Sequence, residues 1–183
     1  ITEDHPHDPP SKKGEVREQI VRMLWEAVEQ KKILSLIARS ADFYGPGIKD
    51  TSVLNEAVIK PLSQGKTANW LGNPDYRHSF TYTPDAARAT ALLGNSPEAY
   101  GQVWHLPTAP DPPTGREWVR MIAEELGVRA KYRSAGKFMV RLMGLFNPVM
   151  REIGEMMYQN TQNYVFNSDK FMTKFDFEVT PYE

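Results

Sequence analysis

Polar and aromatic side chains are concentrated directly after a short apolar run near the start of the chain. The run spans residues 34–38, and it is followed by Arg39, Asp42 and Tyr44 and then by a Gly-Pro-Gly turn at 45–47. A short apolar run bounded by turn residues indicates a buried strand, most often an inner strand of a parallel sheet. Because ligands bind beyond the carboxyl ends of such strands, this stretch is a candidate site. The alternative is structural: Tyr44 packs under the loop and Asp42 caps a turn.

A second group of side chains suited to chemistry is the neighbouring pair Arg77 and His78. The pair directly precedes a predicted strand at 79–82. Arginine and histidine together can contact an anionic group of a substrate. The alternative is the polar edge of a strand. His105, alone within the apolar segment VWHL, is more typical of a packed histidine than of a catalytic one.

Most other chemical motifs are absent from the sequence. Gly45 and Gly47 begin a G-x-G-x-x-G pattern, but its sixth position is Asp50, and Pro46 has no N–H to offer a phosphate. The serines lack a nucleophile-elbow context. With no cysteine in the chain, disulfides, thiolate zinc sites and a cysteine nucleophile are excluded. No metal site is predicted.

Composition narrows the class of protein further. The chain has 183 residues, 40% hydrophobic and 25% charged, which is typical of one ordinary globular domain. Its net charge of −1 provides no field that would favour nucleic acid. No apolar run approaches the roughly 20 residues that a membrane span needs. We therefore predict a cytoplasmic protein that has neither nucleic acid nor a membrane as its partner.

The elements that must position these side chains alternate between helix and strand. Apolar spacing and capping residues predict four helices: 15–31, 51 or 52 to 62, one capped by Thr83 and ending at 94–95, and one capped by Thr114 and stopped by Gly127. Strands are predicted at 34–38, 68–71, 79–82, 103–106 and 129–133. This order indicates an α/β fold.

The composition changes at 137–158, where five of the eight methionines fall. Asn147-Pro148 divides this segment into two predicted helices. Core packing, a pliable lid over an apolar ligand and a surface for a partner protein all remain open, because methionine side chains adapt to varied shapes.

Three stretches together resemble the NAD-dependent epimerase/dehydratases, which are extended short-chain dehydrogenase/reductases. SKKGEVREQI is similar to the active-site helix of that family. IARSADFYGPG is similar to its R-x-x-x-x-Y-G-P strand and turn, and HSFTYTPDAARA to its R-D-x-x-Y-V-x-D-x-A-x-A stretch. The matching residues are Arg39, Tyr44, Gly45, Pro46, Tyr82, Asp85, Ala87 and Ala89.

The resemblance implies the C-terminal part of an extended Rossmann fold. Residues 1–48 would be a remnant of the Rossmann domain and 49–183 a small mixed α/β substrate-binding lobe. It also implies an oxidoreductase that uses NAD or NADP and acts on a small or sugar-like substrate. Asp42, Tyr44, Arg77 and His78 would face the substrate, whereas Arg17 and Ser40 would face the cofactor.

The chain departs from the family at its catalytic motif, Tyr-x-x-x-Lys. Lys13 stands at the tyrosine position and Arg17 at the lysine position, while His78 stands at the position of a substrate arginine. A lysine would need heavy desolvation to act as a base near neutral pH, and arginine stays protonated. The resemblance therefore leaves two functions open: an epimerase, dehydratase or reductase with altered chemistry, or a non-catalytic dinucleotide-sensing protein.

In the family the glycine-rich loop, the first strands and the catalytic Ser/Thr would precede Ile1. We therefore expect the chain to be the back portion of a larger protein and to be inactive by itself. Such a division would expose the apolar face of the first helix and an unpaired strand edge. We expect the chain to pair with a second copy, forming a homo-oligomer.

Overall fold

The structure is a computed structural model. It describes residues 1–6, 9, 11–48, 52–136, 140, 142, 145, 154 and 157–182. The helices are α1 (Lys12–Glu29), α2 (Lys60–Ser63), α3 (Thr83–Gly94), α4 (Gly115–Glu125) and α5 (Asp169–Phe175). The strands are β1 (Ile37–Arg39), β2 (Asp42–Tyr44), β3 (Ala68–Leu71), β4 (Phe80–Tyr82), β5 (Val103–His105) and β6 (Tyr132–Ala135). Short non-α helical turns lie at Asn55–Ile59, Pro97–Ala99 and Met157–Asn160.

The six strands form three parallel pairs, β1 with β5, β2 with β4, and β3 with β6. In each pair the intervening chain crosses back through helical segments, as a parallel connection requires. Ile37 faces Val103 across the first pair, and Asp42 faces Phe80 across the second. The predicted α/β class with parallel strands is confirmed.

Helix α1 begins three residues before the predicted start because Ser11 caps it. The Ser11 Oγ accepts a hydrogen bond from the Gly14 N–H at 3.1 Å, which satisfies a donor of the first turn. The helix ends at Glu29, two residues before the predicted end, and Lys31 lies beyond it in the left-handed region at φ 55°.

The apolar side of α1 is not covered by the rest of the described chain. No residue of α1 is buried. The exposed fractions of Val16, Ile20 and Met23 are 48%, 59% and 68%. A stripe of this kind at helical spacing is a surface that a packed neighbour would cover.

Strands β1 and β6 each begin three residues later than predicted, and the predicted burial of β1 is wrong. Pairing of β1 begins only at Ile37, where the partner strand β5 starts, so Leu34 lies ahead of the sheet and is 82% exposed. In the same way β6 begins at Tyr132 because its partner β3 begins at Ala68. Apolar character alone does not determine where a partner strand begins.

Of the three predicted N-caps, that of α3 is wrong. Ser52 caps the segment before α2, since its Oγ accepts from the Asn55 N–H at 3.2 Å, whereas Thr51 lies outside the described residues. Thr83 is not the cap of α3 as predicted. Tyr82 holds that position, and the Thr83 hydroxyl instead donates to the Pro46 carbonyl oxygen at 2.9 Å.

The predicted cap of α4 is confirmed as a complete capping box. The Thr114 Oγ1 accepts from the Glu117 N–H, and the Glu117 carboxylate accepts from the Thr114 N–H at 2.8 Å. Gly127, at φ 62°, follows the end of this helix as predicted.

Two apolar clusters hold the described residues together. The first lies between β3, β4, α4 and the segment before α2, and its buried members are Leu54, Val58, Leu62, Ala68, Trp70, Phe80, Trp118, Val119 and Ala123. The second lies between α3, β5 and α5, and its buried members are Ala86, Ala89, Leu93, Ala99, Trp104, Leu106 and Phe171. The first cluster forms the floor of the candidate site.

Most of the methionine-rich segment, including Asn147-Pro148, lies outside the described residues. Its three interpretations therefore remain predictions. Within the part of the chain that is described, no helix is long and apolar enough to cross a membrane.

Candidate functional site

The His78 imidazole and the Asp42 carboxylate form the one contact of this kind found among the described residues. Asp42 opens β2, and His78 lies two residues before β4, which pairs with β2 in parallel. The distance between His78 Nε2 and Asp42 Oδ2 is 3.3 Å. The imidazole side chain is 6% exposed and the carboxylate side chain 35%, so the carboxylate is the accessible member of the pair.

The His78 ring is held by aromatic neighbours. It stacks on the Tyr164 ring with centroids 4.9 Å apart and packs against Phe80 at 4.8 Å. Its backbone is also fixed, since its N–H donates to the Pro113 carbonyl and its carbonyl accepts from the Trp118 indole N–H at 3.0 Å. A buried ring fixed on several sides provides a preorganised partner for the carboxylate.

The pair borders a cavity of about 100 Å³, which we call the Asp42 cavity. Its apolar wall comes from the first cluster and its surroundings, and its polar groups come from four separate segments. The lining residues are Asp42, Val53, Leu54, Ala57, Val58, Asn69, Trp70, Leu71, His78, Phe80, Gln159 and Asn160. A few polar groups converging on an apolar cavity is the usual composition of a small-molecule site.

An imidazole hydrogen-bonded to a carboxylate within such a cavity can take up or release a proton. Histidine is a common general acid and base, and a carboxylate partner orients its ring. The geometry therefore suits general acid–base work on a hydroxyl or carbonyl group that approaches the pair.

Arg77 faces a different cavity from its neighbour His78. Its guanidinium Nη1 donates to the Pro112 carbonyl oxygen at 2.9 Å. It lines a more open depression of about 440 Å³, the Arg77 cavity, together with Glu117 and Arg120. The structure thus brings Asp42 and His78 together and places Arg77 apart from them.

Tyr44 packs in an aromatic group beside the site and lines neither cavity. Its ring lies 5.3 Å from Tyr82, 5.5 Å from Trp118 and 6.0 Å from Tyr182 between centroids. Burial, reinforced by Tyr182, Asp85 and Tyr82, raises the pKa of the Tyr44 phenol well above its ordinary value. Burial likewise raises the pKa of Tyr182 to about 12. Both phenols therefore remain protonated at neutral pH.

The glycine turn after β2 packs against the start of α3. Gly45 has a φ of 118°, and a Cβ there would lie 2.7 Å from the Tyr82 ring and 2.8 Å from the Thr83 hydroxyl. The Pro46 carbonyl is occupied by the Thr83 hydroxyl. Asp50, the last position of the pattern, lies outside the described residues. Glycine is needed here for close approach, and this turn does not fit a dinucleotide phosphate.

The predicted cofactor-facing residues are separate from the pair. Lys13 and Arg17 are exposed in the first turns of α1, and Ser40 is half-buried between β1 and β2. None of the three lines either cavity. The structure therefore does not bring these three residues to the Asp42–His78 pair.

Several residues around the Asp42 cavity were not identified from the sequence. Asn69, Gln159 and Asn160 line it, and Tyr164 carries the His78 ring. Asn69 Oδ1 accepts a hydrogen bond from the Arg133 guanidinium at 2.6 Å, and this bond joins facing residues of β3 and β6. Nothing in the local sequence marks these residues, because they reach the cavity from segments distant along the chain.

Comparison with known proteins places the fold. No family model matches the sequence, and no curated protein matches it either. Solved structures do match: a dTDP-glucose 4,6-dehydratase from Bacillus anthracis in complex with NAD superposes with a TM-score of 0.73 at 16% identity, over 98% of this chain and 50% of that one. The chain thus has the α/β fold of the NAD-dependent epimerases and dehydratases.

Two epimerases share the same likeness. A UDP-glucose 4-epimerase from Thermus thermophilus, in complex with NAD, has a TM-score of 0.69 at 14% identity, over 91% of this chain and 49% of that one. A UDP-glucuronic acid 4-epimerase from Bacillus cereus, also with NAD, has a TM-score of 0.66 at 20% identity, over 74% and 44%. The chain spans about half the length of these structures or less.

Proposed function

We propose that this chain is the substrate-facing part of an NAD(P)-dependent oxidoreductase of the epimerase, dehydratase or reductase class. The observation that carries the proposal is the Asp42–His78 pair on an apolar cavity within the fold of such enzymes. The pair would contact the hydroxyl or carbonyl group of a small or sugar-like substrate and move its proton.

The nicotinamide cofactor would be held mainly by residues outside this chain. This division is supported by the lack of a glycine-rich phosphate loop in the sequence and by coverage of about half of the NAD-bound neighbours. Residues 1–48 would join the lobe 49–183 to the dinucleotide-binding domain. Lys13 and Arg17, as exposed cations on α1, would lie towards that domain rather than towards the Asp42 cavity.

Proton transfer would differ from that of the family. A phenol at the tyrosine position normally donates and accepts the proton, whereas here that position is Lys13, an exposed ammonium. The Asp42–His78 pair places a histidine, a common general acid and base, against a carboxylate that orients it. Asp42 and His78 would therefore supply the proton transfer that the ammonium of Lys13 cannot.

A second copy of the chain is the proposed partner of α1. Val16, Ile20 and Met23 lie on one side of the helix at exposed fractions that a monomer rarely leaves uncovered. Pairing of this stripe with its symmetry mate would bury it in a homo-oligomer.

One observation favours the non-catalytic alternative. The chain carries no phenol on α1, while two cations, Lys13 and Arg17, stand one turn apart on its exposed surface. Such cations could retain a nucleotide without turnover, which would make the protein a dinucleotide sensor.

Two measurements on the full-length protein test the proposal. Calorimetric titration with NAD⁺ and NADP⁺ should show binding by the full-length protein and none by residues 1–183 alone. Transfer of deuterium from 4-deuterated NADH or NADPH to a panel of carbonyl compounds should then show turnover. Binding without transfer across the panel would favour the sensor, and clear binding by the 183-residue chain would contradict the proposed division.

A further inference from the structure

We infer that the Asp42 cavity selects a largely apolar hydroxyl or carbonyl compound and rejects substrates whose phosphate groups would enter it. This inference rests on the proposed function, because it names the substrate class of that same site. It distinguishes the chain from the dTDP- and UDP-sugar enzymes whose fold it shares.

The charge of the cavity supports the inference. Among the described residues that line it, Asp42 carries a full negative charge and no lysine or arginine is present. Arg77 points into the other cavity, and the Arg133 guanidinium is held by the Asn69 side-chain oxygen. A phosphate placed here would lose water without gaining a cationic partner, which is unfavourable.

The geometry of the pair adds to this effect. The His78 side chain is 6% exposed, whereas the Asp42 side chain is 35% exposed. A ligand approaching the pair therefore meets the carboxylate of Asp42 first. A carboxylate accepts a hydrogen bond from a hydroxyl and repels a phosphate.

The wall of the cavity favours apolar ligand surface. Leu54, Val58 and Trp70 are each at least nine-tenths buried and belong to the first core cluster. Val53 is 45% exposed and stands at the rim. Apolar ligand atoms would replace water against this wall, and the hydroxyl would pair with Asp42.

A matched set of ligands separates head-group charge from ring shape. Cyclohexanol, cyclohexyl phosphate and cyclohexylammonium share one ring, and UDP-glucose represents the nucleotide sugars. Each is titrated into the full-length protein without nicotinamide, with binding followed by ligand-observed NMR. Cyclohexanol should bind about tenfold or more tightly than either phosphate compound, because no described cation offsets the charge of Asp42.

Variants tie the preference to this cavity. Val53→Trp should weaken cyclohexanol binding about tenfold by filling the rim, whereas Leu126→Trp, a matched change at an exposed residue outside both cavities, should leave it unchanged. Asp42→Asn should narrow the gap between cyclohexanol and cyclohexyl phosphate at least about threefold, since it removes the repelling charge.

The inference is overturned by any of four results. These are equal or tighter binding of a phosphate compound, binding of cyclohexyl phosphate as tight as that of cyclohexylammonium, no binding of cyclohexanol, and cyclohexanol binding that Val53→Trp leaves intact. Hydride transfer is measured separately. If hydride transfer occurs but cyclohexanol is not preferred over the phosphate compounds, only the inferred substrate class is overturned. If that preference is found but no hydride transfer occurs, only the proposed function is overturned.

Discussion

Arg77 and His78 are adjacent in the sequence but face two different cavities. The Arg77 guanidinium donates to the Pro112 carbonyl on one side, and the His78 imidazole meets the Asp42 carboxylate on the other. Successive residues of an extended chain point to opposite faces, so this separation follows from backbone geometry. Of these two neighbours, the structure therefore brings His78 and not Arg77 to Asp42.

In the glycine turn after β2, substitution of Gly45 should destabilise the fold more than substitution of Gly47. Gly45→Ala would place a Cβ 2.7 Å from the Tyr82 ring at a φ of 118°, whereas Gly47→Ala meets nothing within 4 Å. Both changes strain a positive φ, but Gly45→Ala should cost at least about 1 kcal/mol more. Urea unfolding of both variants measures the difference. Equal losses would show that close packing on Tyr82 is not what requires Gly45.

The buried carboxylate of Asp85 should anchor the end of the chain. It accepts from the Thr180 N–H at 2.7 Å, from the Thr180 hydroxyl at 3.1 Å and from Arg88 at 2.6 Å. Asp85→Ala leaves the Thr180 donors without their acceptor and should lower the free energy of unfolding by about 2–3 kcal/mol.

Arg88→Ala is the matched control for that ion pair. The Arg88 side chain is 60% exposed, but it also lies over the Phe177 ring and donates to the Glu178 carbonyl, so its removal should cost about 1 kcal/mol, less than the loss of Asp85. Denaturant unfolding of both variants compares them directly. A loss as large for Arg88→Ala as for Asp85→Ala would contradict an anchoring role for the Thr180 contacts.

His105 should make stability depend on pH. Burial lowers its pKa below the ordinary value of 6.5, while its ring stacks on Phe166 at 4.0 Å and its Nδ1 lies 2.7 Å from the Asn167 carbonyl. The hydrogen bond to the Asn167 carbonyl and the charge of Glu3 oppose the downward shift, whereas Arg39 adds to it. The native state therefore binds fewer protons than the unfolded chain just below pH 6.5, and stability falls as the pH falls through that window.

The slope from this one group can reach about 1.4 kcal/mol per pH unit. His105→Gln keeps a side-chain donor but does not titrate, so it should flatten the curve below pH 6.5. Urea titrations at several pH values measure both proteins. An unchanged slope in the variant would show that another group causes the dependence.

The exposed stripe of α1 should mediate association. Ile20→Glu places a charge in the middle of the stripe, and it should convert an oligomer into a monomer. Leu126→Glu, at another exposed apolar residue, should not. Size-exclusion chromatography with light scattering reads the mass. A wild-type monomer at every concentration would contradict the proposed pairing.

Local features of the fold could be predicted from the sequence because their causes are local. Thr114 and Glu117 form the capping box that their spacing indicates, and β3 spans the predicted residues. The first residue of a strand could not be predicted where it depends on the partner strand. β1 starts at Ile37 because β5 starts opposite it, and Leu34 is exposed although it is apolar.

In the candidate site, too, the positions of single residues could be predicted locally, whereas their contacts could not. Asp42 and His78 are each marked by their position beside a strand, but their contact depends on β2 pairing with β4, which the sequence does not specify. Tyr164 and Asn160 come to the site from a segment without any motif. A cavity formed by distant segments follows from tertiary packing, which local patterns do not determine.

The most direct test of the account compares Asp42→Asn with Asp75→Asn in the full-length protein. Asp75 is an exposed carboxylate paired with Arg116, outside both cavities, so its variant controls for the loss of a charge. Transfer of deuterium from 4-deuterated NADH or NADPH to the substrate panel is the readout. Asp42→Asn should lower kcat/KM about 100-fold, because it removes a group of the proposed acid–base pair, whereas Asp75→Asn should leave kcat/KM unchanged. Equal activity of the two variants would contradict a role for the Asp42–His78 pair.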